Sequence, residues 1–104
     1  MKPIEVQRKR TKGFKLPLNT VSVTRPGKWG NPFKGEDAVK KFRECLLFPH
    51  NVYTYLDEIE AINQYFRFKW MQKNLKLLRD KNLACFCHLG AECHRTVLLE
   101  LANK

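Results

Sequence analysis

Residues 83–101 constrain the fold more than any other stretch, because they place reactive side chains within one strand–loop–helix unit. A short apolar run ends at Cys87, a turn containing Gly90 follows, and Val97 and Leu98 begin an apolar repeat at helical spacing. Three of the four cysteines and two of the three histidines lie here. The first backbone N–H groups of a helix lack intrahelical partners, so this turn is predicted to favour an anion or a thiolate.

The first turn of this helix is predicted to contain Cys93, His94 and Arg95. A thiol at a helix N-terminus beside an arginine has a lowered pKa, which makes Cys93 a candidate nucleophile. His94 is a candidate general base, or alternatively a donor to an anion. We expect Arg95 to hold a phosphate, so that its removal lowers ligand affinity with little change in stability.

The same residues could bind a metal, and the competent ligands are Cys85, Cys87, His88, Cys93 and His94. Their spacing argues against zinc, because one residue separates the two strand cysteines and the adjacent Cys93 and His94 should diverge on a helix. We therefore expect no stoichiometric structural zinc, and Cys85 is interpreted as a buried strand side chain. If zinc were bound, its ligands would be Cys85, Cys87, Cys93 and His94.

Two further strands are predicted before the first helix. Polar and apolar residues alternate over residues 4–8, and residues 20–24 are almost all β-branched before the turn sequence Arg25-Pro26-Gly27. Residues 25–33 then form a loop rich in proline and glycine. Ligands bind beyond the carboxyl ends of parallel strands, so this loop and the cysteine loop should share a crevice if their strands are neighbours. The predicted ligand-binding residues are Arg25, Lys28, Trp29, Asn31, Phe33, Cys87, His88 and Arg95.

Two longer helices are predicted between the second and third strands. The first starts near Glu36 and stops before Pro49, with Cys45 as a core thiol. Residues 51–55 are expected to be an irregular link. The second helix is predicted to bury Ile59, Ile62, Phe66, Trp70, Leu75 and Leu78, and to expose Arg67, Lys69, Lys73, Lys76 and Arg79. We therefore predict a single α/β sandwich domain over residues 1–104, with a largely parallel sheet of three or four strands and about three helices.

The charge of the chain favours an anionic partner. Twenty lysines and arginines against ten acidic residues give a net charge of +10, so a phosphate-bearing ligand or a polyanion fits best. Arg8, Lys9, Arg10 and Lys12 lie close together and could bind nucleic acid. Residues 1–5 lack the apolar segment of a signal peptide and no run could span a membrane, so we expect a cytoplasmic protein with free thiols.

The motifs resemble those of a known family. Arg10-Thr11-Lys12-Gly13-Phe14, Trp29-Gly30-Asn31-Pro32-Phe33 and Cys85-Phe86-Cys87 with Cys93-His94 are similar to motifs of the domain-of-unknown-function 4326 family. Many members carry tryptophan in place of Phe86, and a small residue and aspartate in place of Arg95-Thr96. The resemblance implies a phage or bacterial context, and for a phage protein the host cytoplasm, but the family has no established activity.

Three functions are compatible with these patterns. The first is binding of a nucleotide or nucleotide-derived signal, with phosphate at the last helix and the base against Trp29 or Phe33; in a phage, this binding would sequester the signal. The second is an enzyme acting on a nucleoside, nucleotide or nucleobase through Cys93 and His94, with Asn31 orienting a sugar or base. The third is a basic nucleic-acid-binding module. None of them calls for a cofactor.

Overall fold

The computed structural model describes residues 3–25 and 27–104, in which three strands form one parallel sheet. The strands are β1 (Glu5–Gln7), β2 (Thr20–Ser22) and β3 (Asn82–Cys85). Although β3 is last in sequence, it lies between the other two and pairs with both in parallel. The predicted α/β class with a largely parallel sheet is confirmed, and the carboxyl ends of all three strands meet at one edge.

Each strand is shorter than the sequence pattern predicts. After the last residue of β1 and of β2, one further backbone hydrogen bond joins each chain segment to β3. Arg8 N–H donates to Cys85 O over 2.7 Å, and Val23 N–H donates to Ala84 O over 2.9 Å. β3 ends at Cys85 because the chain bends at Phe86 and Cys87. The turn predicted at Pro26 lies outside the described residues.

Four helices accompany the sheet: α1 (Ala38–Leu47), α2 (Val52–Tyr55), α3 (Glu58–Asn74) and α4 (His94–Ala102). α1 stops before Pro49 as predicted, but the expected irregular link is wrong, because α2 occupies it. The carboxylate of Asp57 accepts the N–H of Glu60 over 3.0 Å and caps α3, which explains where that helix begins. Among the described residues, no helix has both the length and the apolar character needed to cross a bilayer.

The core lies where α1 packs against α3 and α4, and where α4 covers β3. Phe42, Phe68 and Leu83 are wholly buried there. The predicted apolar stripe of α3 is wrong at Ile59, Ile62 and Phe66, which are 77%, 41% and 66% exposed.

The buried face of α3 runs instead through Ala61, Phe68 and Met71. A small residue such as Ala61 lets the neighbouring helix approach closely, and a stripe chosen by large apolar residues overlooks it. Cys45 is buried as predicted, and burial raises the pKa of its thiol to about 11.

Candidate functional site

An open cleft of about 700 Å³ lies at the carboxyl ends of β2 and β3. Because these strands are neighbours, the two loops that follow them meet there, as the shared-crevice prediction required. Eight predicted site residues line the cleft, namely the catalytic or ligand-binding candidates Arg25, Asn31, Phe33, Cys87, Cys93 and His94, the basic-cluster residue Arg10 and the conditional metal ligand Cys85. Lining residues that the sequence analysis did not assign to any site include Lys34, Glu36, Phe86 and Glu92. The loop between β2 and α1 therefore supplies lining residues both before and after Phe33 in the sequence.

Four predicted ligand residues do not line this cleft: Lys28, Trp29, His88 and Arg95. Trp29 is only 8% exposed and packs against Trp70, with 4.9 Å between the ring centroids. Lys28 Nζ lies 5.5 Å from the centre of the Trp70 ring. Both side chains are therefore directed to α3. His88 is outside the cleft lining, and its Nδ1 lies 3.3 Å from the side-chain nitrogen Nε2 of Gln7.

Arg95 has a structural role, which corrects the prediction that it holds a phosphate. Its side chain is fully buried, and its Nε donates to Glu5 Oε1 over 2.9 Å. Its Nη1 donates to the carbonyl of Val6 over 2.9 Å and to those of Cys85 and Cys87 over 3.4 and 3.3 Å. These bonds tie α4 to the ends of β1 and β3, so we expect its removal to lower stability.

The basic cluster predicted for nucleic-acid binding is divided between two roles. Arg8 is half-buried and donates to Ser22 Oγ and Thr24 Oγ1 over 2.9 and 3.1 Å. Its guanidinium also stacks 4.7 Å from the centre of the Phe86 ring. Arg10 is exposed, lies 4.3 Å from the same ring and lines the cleft. Only Arg10 of this pair is thus placed to reach a ligand.

The loop that carries Arg25 is held in place by a residue that the sequence analysis placed on the solvated face of α3. Arg67 Nη2 donates to the carbonyls of Lys28 and Gly30 over 3.0 Å each, and to that of Gly27 over 3.3 Å. Gly30 allows the loop to fold back, because a Cβ there would lie 2.9 Å from Arg25 Cα. The helical pattern contains no signal for this long-range contact.

Asn31 fixes the loop instead of facing a ligand freely. Its Nδ2 donates to Ala38 O over 3.1 Å, while its Oδ1 accepts the N–H of Phe33 over 2.9 Å. Only 6% of the residue is exposed. Its predicted role in orienting a sugar or base is therefore replaced by joining the loop to the start of α1, which places Phe33 in the cleft wall.

Cys85, Cys93 and His94 meet at the base of the cleft. Their potential ligand atoms all lie within 4.8 Å of one another. Cys87 approaches from the side, with its Sγ 3.8 Å from that of Cys85. Cys93 is not inside the helix but is its extended N-cap, with φ −155° and ψ 145°. This backbone conformation lets the adjacent Cys93 and His94 side chains converge, with 3.7 Å between Sγ and Nδ1.

The predicted activation of Cys93 is wrong, since the lowered pKa belongs to its neighbour. The S–H of Cys93 hydrogen-bonds to Cys85, which lowers the pKa of the Cys85 thiol to about 5. The same bond and burial raise the pKa of Cys93, although the N–H of Arg95 acts in the opposite direction. The two shifts run in opposite directions and favour loss of the proton from Cys85 over loss from Cys93.

His94 is neutral, and the hydrogen bond at one ring nitrogen identifies its tautomer. Burial lowers the pKa of the imidazole, and Nε2 lies 2.6 Å from the carbonyl oxygen of Val23. A carbonyl can only accept, so Nε2 carries the proton and Nδ1 presents a lone pair. That lone pair is on the side of the Cys93 sulfur.

Two helices begin at the cleft, since Ala38 and His94 are the first residues of α1 and α4 and both line it. Neither helix has a side-chain hydrogen bond at its N-cap or an acidic residue in its first turn. The positive ends of both helix dipoles are thus directed to one opening.

Comparison with curated proteins and with solved structures gives no match. A family model does match, over residues 6–104, and its description is "Domain of unknown function" (DUF4326). The matched range contains all three strands except Glu5, and every residue that lines the cleft. The chain therefore belongs to the DUF4326 family.

Proposed function

We propose that the protein binds a nucleotide or a nucleotide-derived, phosphate-bearing ligand in the cleft at the carboxyl edge of the sheet. The observation that carries this proposal is the convergence of Arg10, Arg25 and Lys34 on one cleft. Among the described residues, none of these three cations forms an ion pair. A phosphate can therefore bind them without displacing an internal carboxylate.

Other groups in the cleft are suited to the rest of a nucleotide. Glu36 and Glu92 stand on the rim and can accept hydrogen bonds from sugar hydroxyls or base amino groups. The half-buried Phe86 ring adds an apolar surface next to Arg10. Since Trp29 is packed against α3, the base is assigned to one of the two aromatic rings that line the cleft, Phe33 or Phe86.

Calorimetric titration with AMP, ATP and a cyclic dinucleotide, beside adenosine and inorganic phosphate, tests the proposal directly. We expect a nucleotide to bind more tightly than adenosine, because the cations contribute only when phosphate is present. Arg25→Ala should weaken nucleotide binding about tenfold to a hundredfold, the equivalent of losing a hydrogen bond to a charged group. Its melting temperature should stay close to that of the wild type, because Arg25 is exposed.

Lys28→Ala is the matched control for Arg25→Ala. It removes one positive charge from the same loop, but from a side chain that lies over Trp70 and outside the cleft. Equal losses in the two variants would indicate general attraction to charge and overturn the assigned site. Absence of any nucleotide or phosphate binding at low salt, with tight binding of single-stranded or duplex oligonucleotides, would favour the nucleic-acid alternative.

A further inference from the structure

The four side chains at the base of the cleft form a set of soft donors. Cys85, Cys87 and Cys93 supply sulfur, and His94 supplies a ring nitrogen. Thiolate and imidazole together are the usual donors for tetrahedral zinc, whereas calcium and magnesium select oxygen. Among the described residues, Cys85, Cys93 and His94 are the one group of histidine, cysteine and acidic side chains whose ligand atoms all lie close enough to hold a metal ion, and Cys87 adjoins this group through Cys85.

Two distances within the group match the edges of a zinc tetrahedron. Zn–S bonds of about 2.3 Å and Zn–N bonds of about 2.0–2.1 Å place neighbouring sulfurs about 3.8 Å apart, and a sulfur and a nitrogen about 3.6 Å apart. The sulfurs of Cys85 and Cys87 are 3.8 Å apart. Cys93 Sγ and His94 Nδ1 are 3.7 Å apart. Two opposite edges of the tetrahedron thus already have the required length.

The histidine is also held as a zinc ligand would be. Metal-binding histidines donate their other ring N–H to a carbonyl or carboxylate, which fixes the tautomer and the ring plane. His94 Nε2 lies 2.6 Å from the carbonyl of Val23, and Nδ1 points to the cysteines. Phe42 packs edge-on against the ring, with 5.2 Å between centroids.

The fold removes both objections that sequence spacing raised against zinc. Cys93 is an extended N-cap, so it does not diverge from His94 as two helical neighbours would. β3 ends at Cys85, and the bend that follows brings Cys87 to its side. An ion can reach the group, because all four residues line the open cleft.

We propose that Cys85, Cys87, Cys93 and His94 bind one Zn²⁺ per chain, with His94 coordinating through Nδ1. Three thiolates and one imidazole would complete the tetrahedron and leave a fully coordinated ion beneath the ligand cleft. Binding releases the remaining thiol protons to solvent. The inference stands on the geometry of these four side chains and does not depend on the nucleotide proposal.

Titration of the reduced, metal-free full-length protein with Co²⁺ tests the site without any substitution. We expect thiolate-to-cobalt charge-transfer bands and tetrahedral d–d bands that saturate at one equivalent and disappear when Zn²⁺ is added. Elemental analysis of protein purified without chelator should show one zinc per chain. A wild-type protein that gives no saturable cobalt spectrum would overturn the proposal, whatever the result of nucleotide titration.

Cys87→Ser tests the fourth ligand, because this half-buried residue can be changed with the least disturbance to the core. We expect zinc affinity to fall more than about a hundredfold, beyond the tenfold to hundredfold that the loss of an outer-shell partner causes. The charge-transfer intensity should drop by about a third, since one thiolate of three is lost. Cys45→Ala is the control, and it should keep the wild-type spectrum because Cys45 lies in the core outside this group. A Cys87→Ser spectrum identical to that of the control would overturn the four-ligand assignment.

Discussion

Two gaps follow the strand ends at the carboxyl edge of the sheet, one between β1 and β3 and the other between β2 and β3. Arg95 fills the first, where its guanidinium bonds to the carbonyls of Val6, Cys85 and Cys87 and to the Glu5 carboxylate. The second gap is the cleft, where the side chain of Arg25 is exposed. The same edge is thus closed by an internal arginine on one side and open on the other.

The difference between the two arginines lies in where their donors are satisfied. Arg95 is fully buried, and its Nε and Nη1 donate to a carboxylate and to backbone carbonyls of the protein itself, whereas its Nη2 has no partner among the described residues. Arg25 forms no ion pair with a described residue and faces solvent. A guanidinium at the carboxyl edge of a parallel sheet is therefore available to a ligand only when it is not already hydrogen-bonded to carbonyls of the protein.

Replacing Arg95 with Met should produce the largest loss of stability. The change removes the charged partner of the Glu5 carboxylate and the side-chain donor to the carbonyls of Val6 and Cys87, while the apolar volume is roughly kept. We expect the free energy of unfolding to fall by about 3 kcal/mol, the lower end for a broken buried pair, because the Glu5 side chain is 30% exposed. Denaturant unfolding monitored by circular dichroism measures it.

Glu5→Gln is the control for this change, since its amide oxygen can still accept from Arg95 Nε and from Thr96 Oγ1. It should lose less stability than Arg95→Met. An unchanged unfolding midpoint in Arg95→Met would mean that the first gap is not held closed by this side chain, and the contrast between the two gaps would fail.

Arg67→Ala should give a smaller loss and act on the second gap. It removes the charge-assisted bonds to the carbonyls of Gly27, Lys28 and Gly30, so the loop that carries Arg25 loses its anchor to α3. We expect a loss of about 2 kcal/mol in unfolding free energy. Lys69→Ala on the exposed side of the same helix should change it by no more than about 0.5 kcal/mol. Equal melting temperatures for the two variants would contradict the anchoring role.

The adjacency of the two loops could be predicted from the sequence because it follows from local patterns. A β-branched run at residues 20–24 and an apolar run ending at Cys87 indicate strands, and helices between them require parallel pairing. The loops that follow these strands then lie together at the carboxyl edge of the sheet. This reasoning correctly brought Arg25, Cys93 and His94 to one cleft.

The separate roles of the arginines could not be predicted, because they depend on a few ångströms of tertiary placement. Arg95 and Arg25 both follow strand ends in the sequence, and only the folded chain shows that Arg95 reaches backbone carbonyls while Arg25 is exposed. The backbone conformation of Cys93 could not be predicted either. Because α4 begins one residue later than predicted, Cys93 is an extended N-cap and not a helical residue. The lowered thiol pKa belongs to Cys85, because Cys93 hydrogen-bonds to it.

The smallest change in stability is expected at Arg43, which forms the more exposed of the two arginine–carboxylate pairs among the described residues. Its Nη2 lies 2.7 Å from Glu100 Oε2, and the pair joins α1 to α4 at the surface, where the side chains are 40% and 50% exposed. Solvent and salt screen such a pair. Arg43→Gln should therefore lower the melting temperature at neutral pH only slightly, and far less than Arg95→Met does.

The pH dependence of this small effect identifies its source. The hydrogen bond from Arg43 lowers the pKa of Glu100 below its ordinary value of 4.5. The folded state then binds fewer protons than the unfolded state, so the contribution is complete above pH 4.5 and is lost as the pH falls through the folded-state pKa. Melting curves of wild type and Arg43→Gln should thus converge in acid, whereas Lys40→Gln, an exposed change on the same helix, should stay close to wild type throughout. A difference that persists unchanged in acid would show that Arg43 contributes through packing and not through its charge.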